Sequence, residues 1–159
     1  MTRIDFHSNV PDKLGYACRL IRKAYGAGQK LVVHGAPEQL AQLDARLWTF
    51  SALDFLPHCG VDSPNAEVTP IVLAATLDQA PHHQLLINLS AEPPVQFASF
   101  ERMIEVVGSD ADDRAAGRER FRLYRERGYP LAHHDIAQAG QAGQGTQATQ
   151  GAQAKGDAA

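Results

Sequence analysis

Gly26-Ala27-Gly28-Gln29-Lys30-Leu31-Val32-Val33-His34-Gly35-Ala36-Pro37 is the stretch that sets the fold class of this chain. Residues 30–34 centre on an apolar Leu-Val-Val run and read as a buried strand. Before it, Val10, Leu14, Cys18, Ile21 and Tyr25 fall at helical spacing, and Gly26 and Gly28 stop that helix. After it, Pro37 opens a second helix with Leu40, Leu43 and Leu47 along one side. Outward from this centre, residues 3–7 alternate as a short strand does. Ser8 and Asn9 supply N-cap residues, and Pro11 with Asp12 suits a first helical turn. Residues 67–76, 84–89 and 103–107 read as strands, the last of them closing the sheet. Residues 97–102 read as a short helix or turn, and 112–127 as a final helix ended by Gly128 and Pro130. This alternation predicts an α/β fold, a three-layer α/β/α sandwich on a mostly parallel, Rossmann-like sheet. A phosphate loop runs from a strand into a helix N-terminus, whereas residues 26–30 run from a helix into a strand and lack a Gly-Lys-Ser/Thr ending. The sheet is therefore expected to lack a nucleotide-binding loop.

Composition bounds the rest. A chain of 159 residues, 44% of them hydrophobic, has enough apolar material for one core, and residues 1–135 are expected to form a single domain. Residues 136–159 are rich in Ala, Gly and Gln, carry no large apolar side chain beyond the start, and are expected to form a disordered tail. A net charge of −3 argues against a protein that coats nucleic acid nonspecifically. Cys18 and Cys59 are too few for a disulfide framework. No apolar run approaches the roughly 20 residues of a membrane span, and the polar start lacks a signal-peptide core. A cytoplasmic protein without membrane contact is expected.

Against that acidic background, residues 114–127 hold six of the fifteen basic residues. On a helix Arg114, Arg118 and Arg122 recur every four residues, with Arg125 beside them and Phe121 and Tyr124 flanking. A solvated outer face is the ordinary reading of a charge run. Here only Glu119 and Glu126 offer intrahelical partners, and a guanidinium row edged by rings suits an anion that carries an apolar group. Direct nucleic-acid binding, with Phe121 and Tyr124 stacking on bases, is the competing use of the same helix.

A second cluster surrounds Trp48, the only tryptophan, followed by Phe50, Phe55, Leu56 and Pro57 in a segment without strong periodicity. It serves either as a core plug or as an apolar docking patch. Catalytic and metal chemistries find little support. Adjacent histidines at 82–83 and 133–134 point apart on any regular element and read as loop histidines, and no Cys-x-x-Cys accompanies them. His58-Cys59 lacks a placed partner, although a small α/β enzyme with a site there stays open as an alternative. No catalytic residue, metal ligand or cofactor is assigned.

Taken in order, Ala45-Arg46-Leu47-Trp48, Ser51-x-x-x-Phe55-Leu56-Pro57-His58, Leu86-Ile87-Asn88-Leu89, Glu105-Val106-Val107, residues 118–125 and Gly128-Tyr129 resemble the chi subunit of bacterial DNA polymerase III, with Asp5-Phe6-His7 fitting the same family. The resemblance spans about residues 2–131. It implies a non-catalytic accessory subunit of the replicase, near the nucleoid. Such a subunit joins the clamp loader, through the small psi subunit, to the acidic C-terminal tail of single-stranded DNA-binding protein, with mainly indirect DNA contact. It further implies that Arg118 pairs with the terminal carboxylate of that tail, that Phe121 walls a pocket for its last Phe, and that Arg114 and Arg122 attract its aspartates. Tyr124 and Arg125 follow on the same or adjacent faces. Psi docking falls on Trp48, Phe55, Leu56 and Pro57. Two positions depart from the family pattern. Phe121 stands where Tyr is common, and a short acidic connection places Asp110, Asp112 and Asp113 where they would neutralise part of the stripe.

Overall fold

In the computed structural model, which describes residues 1–50 and 55–137, the run at 31–34 is strand β2 (Leu31–His34), near the middle of a seven-stranded sheet. Its neighbours are β4 (Ile71–Ala74) and β5 (Leu85–Asn88), and all three strands are buried except His34. The complete order is β3 (His58–Gly60), β4, β2, β5, β6 (Arg102–Gly108), β1 (Arg3–Val10) and β7 (Leu131–Asp135), and every pairing is parallel. Helices α1 (Lys13–Gly26) and α2 (Pro37–Thr49) pack on one face, burying Cys18, Ile21, Leu43 and Leu47 against Leu31, Val33 and Ile87. Helix α3 (Ala111–Glu126) covers the other face, where Tyr124 packs with Phe6, Val32, Leu86, Phe97 and Met103. Period-two alternation explains the split, since Val32 points opposite to Leu31 and Val33. This is the expected three-layer α/β sandwich. Gly28 adopts φ 81° and its N–H bonds Tyr25 O, so the glycine loop is a helix C-cap.

Four local readings are corrected. Strand β1 runs on to Val10, and the N-cap of α1 is Asp12, whose carboxylate accepts from Gly15 N at 3.2 Å. The β7 ladder holds Ser8 opposite Asp135, and Asn9, in the left-handed region at φ 59°, sits in the register shift between His7 and Val10 on the β6 side, so neither residue caps α1. The stretch 67–76 yields only Ile71–Ala74 as strand, with a 3₁₀ turn at Ala66–Val68. β6 is not the last strand, because β7 follows α3 and its polar Leu-Ala-His-His-Asp sequence belongs to an exposed edge. His133 and His134 are accordingly strand residues and not loop residues, and His58 begins β3. Ile136 packs against the α1/α2-side core. Residues 138–159, most of the expected tail, lie outside the described residues, as do residues 51–54.

Candidate functional site

Helix α3 is built to stand at the end of β6. Asp110 caps it, accepting from Asp113 N at 3.1 Å, while Asp113 accepts from Gly108 N at 2.6 Å and pairs with Lys13 at 3.0 Å. Asp110 and Asp113 are thus occupied in joining strand to helix, and with Asp112 they sit in or before the first turn, where the dipole favours them. They do not pair with the arginine stripe. The helix closes where Gly128 takes φ 86° and Tyr129 N bonds Tyr124 O at 3.1 Å.

Its inner face carries an ionic core. Glu105 of β6 is fully buried and accepts from Arg120 Nε at 2.9 Å, Asn88 Nδ2 at 2.9 Å and Tyr124 Oη at 2.6 Å. Arg120 also donates to Ala91 O at 2.7 Å. Burial pushes the Glu105 carboxyl above its ordinary range, and the Arg120 charge and the three donors pull it back. Burial and the adjacent Glu105 raise Tyr124 as well. Tyr124 therefore does not flank the stripe on the surface: it is wholly enclosed and fixes α3 to the sheet. Gly117 makes the closest approach, for a Cβ there would meet both Val107 methyls at 2.9 Å.

The outer face divides in two. At about 100° per residue, Arg114, Arg118, Phe121 and Arg125 fall within roughly 60°, while Arg122 lies about 80° round from Arg114. Arg114, Arg118 and Phe121 line a hollow of about 410 Å³, completed by Phe6, Ser8, Asn9, Val107, Gly117, His133 and Asp135. Phe121 is held edge-on against Phe6, with ring centroids 5.1 Å apart, and the Arg125 guanidinium lies 6.0 Å from its ring centre. Among the described residues, neither Arg114 nor Arg118 has an ion pair or side-chain hydrogen bond. Arg122 turns away, bonding Glu119 and, at 3.3 Å, Glu126 beside a different hollow. The structure thus gathers Arg114, Arg118, Phe121 and Arg125, and separates Arg122 and Tyr124 from them.

The far wall of the hollow escaped the sequence reading. Strand β7 pairs with β1 so that Ser8 lies opposite Asp135. Ser8 Oγ bonds His133 Nε2 at 2.6 Å, and Asn9, in the left-handed region at φ 59°, donates to Asp135 Oδ2 at 3.1 Å. Residues 131–135, Leu-Ala-His-His-Asp, do not alternate between apolar and polar, so no local pattern marked this wall. His134 faces the other side, its ring 5.1 Å from that of His7.

The aromatic cluster resolves at the opposite edge of the sheet. Trp48 and Phe55 are 57% and 66% exposed, their ring centroids 5.9 Å apart. His58 lies beneath Trp48 at 4.6 Å, its Nδ1 2.6 Å from Leu56 O and its Nε2 3.1 Å from Asp44. Leu56 is buried in the α1/α2-side core and offers no docking surface, while Pro57 is half-buried. Among the described residues no three His, Cys, Asp or Glu converge as metal ligands, and no helix is long and apolar enough to cross a membrane.

Residues 1–132 match the family described as DNA polymerase III chi subunit, HolC. The chain is 40% identical over 141 residues to DNA polymerase III subunit chi of Pseudomonas aeruginosa, covering 86% of this chain and 98% of that protein. It is 29% identical over 122 residues to the protein of the same name from Haemophilus influenzae, covering 76% of this chain and 85% of that one.

Proposed function

We infer the function of this chain from its family: it belongs to the DNA polymerase III chi subunits, accessory proteins of the replicase. The reading is that it works as a two-sided adaptor. The α3 hollow takes the acidic C-terminal tail of single-stranded DNA-binding protein, and the Trp48/Phe55 patch takes the psi subunit of the clamp loader.

One observation carries this reading. Two exposed guanidiniums without a carboxylate partner among the described residues stand beside an apolar hollow walled by Phe121. A peptide ending in Phe presents what such a place lacks, a ring and a carboxylate on one residue. The terminal carboxylate accepts from Arg118, with Arg114 adjacent, and the ring packs among Phe6, Val107 and Phe121. Upstream aspartates meet Arg125 on the outer helix face. Charge-assisted hydrogen bonds are each worth about 1.5–3 kcal/mol, and burial of a Phe side chain roughly 2–3 kcal/mol. Together they suit micromolar binding, near −8 kcal/mol, with an on-rate that falls as salt rises.

The second surface fits a different chemistry. Trp48 and Phe55 lie beside β3, and the hollow lies beside β7, at opposite edges of the sheet. Six strand spacings separate those edges by roughly 29 Å. Both partners can therefore be held at once, as an adaptor requires.

Fluorescence anisotropy with a labelled acidic peptide ending in Phe tests the reading. Arg118→Ala is expected to weaken binding by at least tenfold with an unchanged melting curve, and amidation of the peptide terminus to do the same. Equal affinity for the wild type and Arg118→Ala overturns it.

A further inference from the structure

The hollow has two unlike walls. Arg114 and Arg118 stand on α3, whereas the facing wall, from β1 and β7, carries a carboxylate, that of Asp135. Between them the floor is apolar, made of Phe6, Val107, Gly117 and Phe121. The position of Asp135 is set by the fold. It lies opposite Ser8 in the β1/β7 ladder, and the bulged Asn9, at φ 59°, donates to its Oδ2 at 3.1 Å. Its neighbour on the same wall, His133, is tied to Ser8 at 2.6 Å and lies edge-on to Phe121.

A carboxylate inside an anion site is a selective element. Over an apolar floor charges are weakly screened, so a second negative group entering the hollow meets repulsion that the outer helix face does not impose. We infer that Asp135 sets the register of the bound peptide. It admits the terminal carboxylate, held across the hollow by the arginines, and keeps the upstream aspartates outside near Arg125. The inference rests on the acidic-peptide reading above and names its specificity determinant. A peptide whose penultimate residue is acidic brings charge to the β7 wall and is rejected. One with a neutral penultimate residue leaves that wall to the backbone N–H of the terminal residue, from which the carboxylate accepts.

A double-mutant cycle between protein and peptide tests this with the full chain. Two labelled peptides are titrated, identical except for Pro or Asp before the final Phe. The wild type is expected to disfavour the Asp peptide by about tenfold or more, and Asp135→Asn to reduce that penalty by about fivefold. Ser8→Asp, which adds charge to the same wall, is expected to enlarge the penalty, an opposite sign that partial unfolding cannot produce. A penalty of the same size in all three proteins overturns the inference while leaving the peptide site in place. Failure of the wild type to bind either peptide removes the adaptor reading, and this inference with it.

Discussion

Replacing Arg120 by methionine tests the buried network on which α3 rests. Arg120 is 1% exposed and Glu105 0%, and their 2.9 Å contact is the only cationic one that Glu105 has among the described residues. The substitution keeps most of the side-chain volume but leaves a buried carboxylate with two neutral donors, Asn88 and Tyr124. It also strands Ala91 O, which accepts from Arg120 at 2.7 Å. Removing one partner of a buried ion pair costs about 3–5 kcal/mol, a large share of the 5–15 kcal/mol typical of a domain. At about 3–4 °C per kcal/mol, the melting temperature falls by roughly 9–20 °C. The pH dependence has a definite sign. Burial already holds the Glu105 carboxyl above the 4.5 of an exposed one, and loss of Arg120 raises it further. A raised carboxyl means that the folded state keeps its proton where the unfolded state has lost it. Stability therefore falls as pH rises from about 4.5 through the folded value. Arg120→Met is accordingly expected to be least destabilising near pH 5 and most at pH 8, and Glu105→Gln in the same chain to recover much of the loss. Urea melts of the three proteins at both pH values measure this. A loss below about 1 kcal/mol, or one independent of pH, refutes the reasoning.

Arg122→Ala should change acidic-peptide affinity by less than about threefold in the same anisotropy titration, because its guanidinium is held by Glu119 and Glu126 away from the hollow. Gly117→Ala should destabilise by about 1–3 kcal/mol, read by thermal melting, and weaken the peptide as α3 is pushed off Val107. Trp48→Ala should leave the melt within about 1 kcal/mol of wild type, since the ring is 57% exposed, yet abolish co-elution with psi on gel filtration. His7, which burial and the neighbouring His134 lower to about 4, is neutral in the folded chain. The unfolded chain takes up that proton from 6.5 downward, so stability should fall between pH 6.5 and 4, and His7→Asn should flatten the fall in melts across that range.

The sequence by itself determined what depends on local pattern. Leu31-Val32-Val33 and Leu85-Leu86-Ile87 are apolar on both sides, which only a covered parallel sheet accommodates, and the residue spacings around them fixed the helices. The arginines of 114–125 were visible because helical periodicity is written in the chain. Tertiary structure alone decided which of them act together. Four-residue spacing drifts by about 40° per step, so the third arginine rotates towards Glu119 and Glu126, and a tyrosine one turn along is carried into the core beside Glu105. Likewise Leu56 and Phe55 are adjacent in sequence and alike in character, yet one is enclosed and the other exposed. The β7 wall, with His133 and Asp135, is polar and at an edge, and its pairing partner lies more than a hundred residues away in β1. Such a strand owes its existence to the ladder it joins, and no local propensity announces it.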